Sequence, residues 1–137
     1  MLATGTAIGP FLSILKGETV WKKFQTVTLC YSVRTREELA YLETIELIVE
    51  QHAGQLCFIP IITREQDKHA QHERIPQSIT NGNLETRANR PISKDDSHVM
   101  ICGSTELITE VSSILDSRNM RKHRRREPGH YTSEKYH

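Results

Sequence analysis

The sequence predicts an α/β fold in which a parallel five-stranded sheet is flanked by helices. Short apolar runs rich in β-branched residues, typical of buried strands, alternate with segments that have helical periodicity. Glycine with serine or threonine follows the first strand, and again the fourth. Such alternation indicates right-handed βαβ units, in which a ligand binds at the carboxyl ends of the strands, where the strand order reverses.

Size and composition indicate one globular domain: the chain has 137 residues, of which 36% are hydrophobic and 26% are charged. Eighteen Lys and Arg residues against seventeen Asp and Glu leave the net charge near zero, which favours neither a nucleic acid nor a membrane surface. No apolar run approaches the roughly 20 residues of a membrane span, and the amino terminus lacks the pattern of a signal peptide. We therefore expect a cytoplasmic protein.

The amino-terminal segment is the one around which the fold is organised. Residues 1–3 are the end of a buried strand, residues 4–9 form a turn rich in Gly and Thr, and an apolar helix follows with Pro10 in its first turn. Unpaired backbone N–H groups at such a helix start can bind an anion such as a pyrophosphate. The spacing is not the strict G-x-G-x-x-G fingerprint, so an ordinary strand–turn–helix junction is the alternative.

The next elements are two strands and a helix. Residues 26–33 are apolar and β-branched throughout, which predicts a strand buried on both faces. Residues 37–52 carry Leu, Ile and Val at three- and four-residue spacings, which predicts an amphipathic helix. Residues 55–63 are a third predicted strand, and Pro60 indicates that this strand lies at an edge of the sheet.

The middle of the chain is more polar. Residues 64–74 read as a loop, and residues 75–82 as a short helix with proline near its start and glycine at its end. A second polar loop, residues 83–97, precedes a compact fourth strand at residues 98–102. Helix-start residues follow this strand, and they predict a helix that runs to about Ser117.

The carboxyl-terminal part combines a basic run with a last strand, which the alternating pattern predicts at residues 130–136. The run contains six cations in nine residues: Arg118, Arg121, Lys122, Arg124, Arg125 and Arg126. One alternative function is therefore a non-catalytic module that holds nucleic acid through residues 118–126. Asn119, Met120 and His123 alone interrupt the charges, whereas nucleic-acid sites usually interleave more aromatic or hydrogen-bonding residues, and a solvated surface loop is the plainer interpretation.

Cysteine and histidine usage argues against a disulfide framework and against a metal site. Cys30, Cys57 and Cys102 are odd in number and far apart in strand-like runs, which suits reduced, buried thiols. His69 and His72 are the only close histidine pair, and no further ligand lies at the usual spacing. We therefore predict no metal.

Six motifs occur in order with nearly unbroken spacing: residues 1–15, Val33-Arg34, Thr63-Arg64-Glu65, Gly82-x-Leu84-Glu85, Val99-Met100-Ile101-Cys102-Gly103 and residues 126–136. Together they cover essentially the whole chain, and they resemble the carboxyl-terminal half of a bacterial ferredoxin/flavodoxin–NADP reductase. The resemblance implies an NADP-binding domain over residues 1–137 that works beside an FAD-binding barrel. Electrons would pass between NADPH and flavin, and between flavin and ferredoxin or flavodoxin.

The flavin-binding half of that family is absent from this chain. We therefore expect a fragment, a separately made domain or a gene model begun at an internal methionine, without turnover unless the flavin is supplied. Close bacterial members of the family end in an aromatic residue that covers the flavin ring, whereas this chain ends in Tyr136-His137. An imidazole offers less surface for stacking, so the resemblance assigns that role to these two residues less firmly.

The resemblance also implies the remaining site residues. Thr6 would lie near the flavin, and Cys102 and Glu134 occupy the candidate catalytic positions. Cys102 would pack near the nicotinamide, although a core role suits that thiol equally well. The adenosine and its 2′-phosphate would be contacted by Val33, Arg34, Thr63, Arg64 and Arg74. Further positions that would contact the nucleotide are Ser104, Thr105, Glu106 and Glu110.

The residues after the second and third strands bear on the choice of cofactor. A carboxylate after the second strand would accept the ribose 2′-hydroxyl of NAD, but residues 33–36 carry two arginines there, and acid appears only at residues 37–38. A guanidinium matches a phosphate in shape and charge. If Arg34, Arg64 and Arg74 converge on one rim, NADP should be preferred over NAD.

Overall fold

The computed structural model describes residues 1–136, and these fold around one parallel sheet. Its strands are β1 (Leu2–Thr4), β2 (Val27–Val33), β3 (Leu56–Ile62), β4 (Val99–Gly103) and β5 (Tyr131–Lys135). They lie in the order β3-β2-β1-β4-β5, and every neighbouring pair is parallel. The predicted fold class is confirmed. Pro60 lies in an edge strand, as predicted.

The helices of the described chain are α1 (Gly9–Lys16), α2 (Thr19–Lys23), α3 (Leu42–Gln51), α4 (Ile75–Thr80), α5 (Asn83–Ala88) and α6 (Thr105–Ser117), with short 3-10 helices at Gly5–Ile8 and Arg36–Glu38. Helices α1 to α3 contribute to one hydrophobic core, and α4 to α6 contribute to a second core. Two helical layers therefore enclose the sheet. Within residues 1–136, no helix has the length and apolar character that crossing a membrane requires.

Strand β2 shows why the apolar runs have no polar alternation. Leu29 and Tyr31 belong to the core beside α1 and α3, whereas Cys30 belongs to the core beside α4 to α6. All three side chains are fully buried, because successive side chains of a strand point to opposite faces and both faces are covered. Burying each large apolar side chain contributes about 1.5–3 kcal/mol, so the central strands anchor the fold.

The strand order reverses between β1 and β4. The chain adds β2 and β3 on one side of β1, and then crosses over to add β4 and β5 on the other side. Gly103 at the end of β4 makes the junction close: a Cβ there would lie 2.6 Å from Leu107 Cδ2 and 2.7 Å from Thr4 Oγ1. The absence of a side chain at Gly103 therefore lets the ends of β1 and β4 meet.

The helix predicted over residues 37–52 begins later than expected. Thr35 and Glu38 form a capping box that caps the start of a 3-10 helix at Arg36–Glu38. The backbone then leaves helical geometry at Leu39 (ψ 93°), and Tyr41 adopts a left-handed conformation (φ 61°). Helix α3 therefore starts at Leu42, and the residues before it form part of the loop after β2.

Other local predictions were also wrong. Residues 83–97 are not all loop, because α5 occupies Asn83–Ala88, and α2 had no predicted counterpart. The predicted last strand is present as β5, but the burial of its side chains does not alternate. Tyr131 is its one buried residue, and the residues after Tyr131 are increasingly exposed towards Lys135. An edge strand that leaves the helical layer loses the alternation on which the prediction relied.

Candidate nucleotide-binding site

The carboxyl edge of the sheet collects residues from the ends of all five strands. Thr6 follows β1, Arg34 follows β2, Arg64 follows β3, Ser104 follows β4 and Tyr136 follows β5. All four parallel pairings place these strand ends at the same edge. In an open parallel sheet this edge is where ligands bind, close to the reversal of strand order.

The turn after β1 is itself helical. Gly5–Ile8 forms a 3-10 helix that runs directly into α1, which begins at Gly9 with Pro10 in its first turn, as predicted. The helix-start N–H groups are therefore those nearer Gly5, which has a positive φ of 55°. Thr6 is exposed in this turn, two residues beyond the strand end.

The residues after β4 form a capped helix start. The Ser104 hydroxyl accepts a hydrogen bond from the Leu107 backbone N–H at 3.2 Å, as an N-cap does. Thr105 and Glu106 are exposed in the first turn of α6. Because Gly103 brings the ends of β1 and β4 together, this helix start and the turn that holds Thr6 flank the same junction.

The two candidate catalytic residues are neighbours across strands. Cys102 of β4 is in register with Glu134 of β5. Burial raises the pKa of the Cys102 thiol, and the charge of Glu134 raises it further. A buried thiol with a raised pKa is not an activated nucleophile, so the geometry fits a packing role for Cys102. Beyond Glu134, the Tyr136 N–H donates to the Gly103 carbonyl at 2.6 Å, which ties the end of β5 to the junction.

The backbones of two arginines, Arg34 and Arg64, are neighbours at the ends of β2 and β3. The Thr63 N–H donates to the Val33 carbonyl at 3.0 Å, and the Arg64 N–H donates to the Arg34 carbonyl at 2.9 Å. Both arginine residues are exposed. Arg34 forms an ion pair with Glu38, and no carboxylate among residues 1–136 lies within ion-pair distance of Arg64. Within residues 1–136, Arg64 is therefore the arginine of this pair that has no carboxylate partner.

The loops that carry these arginines are braced against each other. The Arg36 guanidinium lies 2.8 Å from the Asp67 carboxylate, and the Arg36 N–H donates to Glu65 Oε2 at 3.0 Å. The His69 backbone N–H and then Arg36 hold the pKa of Asp67 below its ordinary value, against a smaller opposing effect of desolvation. These contacts link the loop after β2 to the loop after β3 along the carboxyl edge, which we call the rim.

Arg74 is placed differently from the other two arginines. It precedes α4, and its guanidinium reaches Glu110 of α6 with N–O distances of 3.0 and 3.4 Å. Within residues 1–136, the side chains of Arg34 and Arg74 contact different carboxylates, Glu38 and Glu110. The backbones of Arg34 and Arg64 are neighbours, and convergence of all three arginines stays a prediction.

The basic run is only partly a free surface. Arg118 is half-buried, pairs with Glu85 at 2.9 Å and donates to the Ile92 carbonyl at 3.1 Å. Arg121 donates to the Pro128 carbonyl at 2.8 Å. These two cations contact other parts of the fold, so only part of the run is a solvated surface loop. The exposed cations that remain are Lys122, Arg124, Arg125 and Arg126, which we call the basic loop.

Cysteines and histidines form no further site in the described chain. The three thiols are free, Cys30 and Cys102 are buried, and Cys57 is half-buried. Within residues 1–136, no group of three or more His, Cys, Asp or Glu side chains could hold a metal ion. His137, assigned by resemblance to the flavin side, lies outside the described residues.

Two cavities, of about 550 and 430 Å³, open at the amino ends of the strands. Phe24, His98 and Met100 line both of them. They lie opposite the edge that carries the candidate residues. Neither of these two cavities is part of the candidate nucleotide site.

Two residues that shape the site were missed by the sequence reasoning. Tyr31 reaches from the middle of β2 to the loops at the edge, and a tyrosine inside an otherwise apolar strand was the available signal. Glu38 accepts hydrogen bonds from Arg34 and Thr35. The spacing Thr35-x-x-Glu38 is that of a capping box, so the sequence did contain this signal.

Comparison with known proteins identifies the family. The family described as "Oxidoreductase NAD-binding domain" matches residues 1–113. The chain is 39% identical to the flavodoxin/ferredoxin–NADP reductase of Buchnera aphidicola subsp. Baizongia pistaciae and 38% identical to that of Escherichia coli (strain K12), covering 99% of this chain and 55% of each relative. A ferredoxin NADP⁺ reductase from Neisseria gonorrhoeae, whose crystal structure has bound FAD and NADP, superposes with a TM-score of 0.91 at 31% identity, over 98% of this chain and 54% of that one.

The chain spans about half the length of these relatives, and the half it matches is their carboxyl-terminal one. The resemblance inferred from the six motifs is thereby confirmed. None of these proteins is described as binding nucleic acid, so the alternative function for residues 118–126 has no support. The chain belongs to the oxidoreductase NAD-binding domain family.

Proposed function

We propose that the chain is the NADP(H)-binding domain of a flavin-dependent ferredoxin/flavodoxin–NADP oxidoreductase. The observation that carries the proposal is that Arg34 and Arg64 are backbone neighbours at the ends of β2 and β3. An NAD site would place a carboxylate after β2 to accept the ribose 2′-hydroxyl, whereas guanidinium groups match a 2′-phosphate. The relatives of this chain are NADP reductases, which supports the same choice.

The edge divides into two regions with different roles. The region at the ends of β2 and β3, which holds Val33, Arg34, Thr63 and Arg64, would bind the adenosine and its 2′-phosphate. The junction of β1 and β4, with Ser104, Thr105 and Glu106 at the start of α6, would bind the pyrophosphate and the nicotinamide half. Cys102 and Glu134 lie on the strands beside that junction and would position the nicotinamide.

The residues present fit NADP(H) more fully than they fit FAD. The rim offers an exposed arginine, Arg64, that has no carboxylate partner within residues 1–136, and a capped helix start, both suited to phosphates. For a flavin the chain offers only Thr6 and the segment that includes Tyr136, so a separate flavin-binding unit would hold most of it. When bound, the two cofactors supply the hydride and one-electron chemistry, and the protein supplies their position.

The partners follow from this role. A flavin-binding unit would sit against the junction, and ferredoxin or flavodoxin would accept or supply single electrons. The basic loop is an exposed cationic surface that suits an acidic carrier. The three free thiols suit a reducing compartment, and we place the enzyme in the cytoplasm.

A fluorescence titration of the chain with NADPH, and separately with single-stranded DNA, tests the proposal. We expect saturable binding of NADPH and no saturable binding of DNA at moderate salt. Saturable DNA binding without NADPH binding would instead favour the module that holds nucleic acid through residues 118–126.

A further inference from the structure

Two of the three candidate phosphate-binding arginines are already held by carboxylates. Arg34 Nη2 lies 3.0 Å from Glu38 Oε2, and the guanidinium of Arg74 holds Glu110 through two N–O contacts of 3.0 and 3.4 Å. The side chains of Arg34 and Arg74 are 62% and 58% exposed, so both pairs lie where a ligand from solvent can reach them. The carboxylates therefore occupy donors that a phosphate would need.

Glu38 is fixed at the rim from a second side. Its Oε1 accepts hydrogen bonds from the Thr35 N–H at 3.2 Å and from the Thr35 hydroxyl at 3.3 Å. This capping box is independent of Arg34, so Glu38 stays in place if the guanidinium turns away. The hydrogen bond from Arg34 is the main reason that the pKa of Glu38 lies below its ordinary value, and the carboxylate is therefore charged at neutral pH.

A 2′-phosphate competes with these carboxylates in a way that a 2′-hydroxyl does not. A phosphate monoester carries a charge of about −1.5 to −2 at neutral pH and three acceptor oxygens, whereas a solvent-exposed ion pair is weak. The guanidinium groups can exchange one partner for the other. After the exchange, each carboxylate is left close to a second anion, which lowers the affinity for a phosphate-bearing nucleotide. A nucleotide without the 2′-phosphate does not incur this repulsion.

We propose that Glu38 and Glu110 set how strongly the site prefers NADP(H) over NAD(H), because they hold Arg34 and Arg74 in ion pairs that a 2′-phosphate must replace. The inference rests on the proposed function. In it, the two acidic residues weaken the binding of a phosphate-bearing nucleotide and do not bind the nucleotide themselves. Glu110, assigned by resemblance to the nucleotide, would thus act through Arg74. Arg64 has no such partner in the described chain, so it would be the cation available at first contact.

The test is calorimetric titration of the full chain with NADPH and with NADH, before and after Glu38→Gln and Glu110→Gln. The amide keeps the size of the side chain and an acceptor oxygen, and removes the charge. We expect each substitution to tighten NADPH binding by about two- to fivefold and to leave NADH binding unchanged, since exposed ion pairs are of this strength. The NADH affinity also shows that each variant is folded.

Glu37→Gln is the matched control, because Glu37 is an exposed neighbour with no ion-pair partner in the described residues. It should change NADPH binding much less than Glu38→Gln does. An equal gain in all three variants would indicate a general effect of net charge and would overturn the inference. Unchanged or weaker NADPH binding in the Glu38 and Glu110 variants would also overturn the inference. That result would leave the proposed function intact, because the unmodified chain would still bind NADPH. An unmodified chain that bound no NADPH would overturn the proposed function itself.

Discussion

The hydroxyl of Tyr31, in the buried middle of β2, donates a hydrogen bond to the carbonyl oxygen of Gly5 at 2.9 Å. The Tyr31 hydroxyl oxygen in turn accepts a hydrogen bond from the Ala40 N–H at 3.4 Å. One side chain thus links the turn after β1 to the loop after β2, and both segments carry candidate site residues. Tyr31 is therefore a positioning residue of the candidate site.

Tyr31→Phe should lower the free energy of unfolding by about 1–2 kcal/mol, because the ring stays packed while the Gly5 carbonyl loses a partner. It should also weaken NADPH binding by a few fold, since the turn that holds Thr6 is released. Denaturant unfolding and nucleotide titration measure the two effects.

Tyr131→Phe is the control for this prediction. Its hydroxyl donates to Asp116 at 2.7 Å near the amino end of β5, away from the candidate site. A similar loss of stability without a change in nucleotide affinity is expected there. If both variants bound NADPH equally well, Tyr31 would have no role in positioning the site.

Gly103→Ala should destabilise the chain by about 1–3 kcal/mol, because the added Cβ would overlap Leu107 and Thr4 where β1 and β4 meet. Gly9→Ala is the matched control: a Cβ at Gly9 has no neighbour within 4 Å and its φ of −51° is helical. That substitution should be neutral or slightly stabilising. Thermal unfolding of both variants is the measurement, and equal behaviour would contradict close packing at the junction.

The sequence predicted the strands more accurately than the segments between them. A run such as residues 26–33 is apolar because both faces of β2 are covered, and this cause acts along the strand itself. The start of α3 depends instead on a capping box and on Tyr41 with a positive φ, which local periodicity does not encode. Short helices such as α5 carry too few residues for a periodic pattern to show.

The candidate site divides in the same way. The parallel pairing of β2 with β3 makes the backbones of Arg34 and Arg64 neighbours, joined by a hydrogen bond just beyond the strand ends, and strand positions alone were sufficient to predict that neighbourhood. The ion pair of Arg74 with Glu110 joins the residue before α4 to α6, so it depends on tertiary packing that a single sequence does not specify. Arg118 likewise belongs to the fold because Glu85 approaches it from another helix.

The stability of the chain should fall at alkaline pH because of Cys30. Burial raises the pKa of this thiol from 9.0 to about 12, because the buried position disfavours the charged thiolate. The stabilisation is complete below pH 9 and is lost as the pH rises from 9 towards 12, by up to about 1.4 kcal/mol per pH unit.

Denaturant unfolding of the unmodified chain and of Cys30→Ala, at several pH values between 8 and 11, checks this prediction. The substitution should make the alkaline decline shallower, although Tyr31, Cys57 and Cys102 also have raised pKa values and contribute. Parallel curves for the two proteins would mean that Cys30 does not titrate as described.

The basic loop should guide an acidic electron carrier. In the enzyme assembled with a flavin-binding unit, Arg124→Glu with Arg125→Glu should slow carrier reduction by about tenfold at low salt, and less at high salt, because steering is screened. Stopped-flow reduction of flavodoxin measures the rate, and NADPH affinity should stay nearly constant. Reversal of the exposed Lys16 and Lys94 controls for net charge, and equal slowing there would remove the loop from the carrier surface.

The central claim is that Arg34 and Arg64 make this edge a site for a 2′-phosphate, and calorimetric titration of the chain with NADPH and NADH tests it most directly. Each charge-assisted contact is worth roughly tenfold or more in affinity, so we expect NADPH to bind about 100- to 1,000-fold more tightly than NADH. Arg64→Ala should weaken NADPH binding by about tenfold or more and leave NADH binding almost unchanged. Equal affinity of the unmodified chain for the two nucleotides would contradict the account.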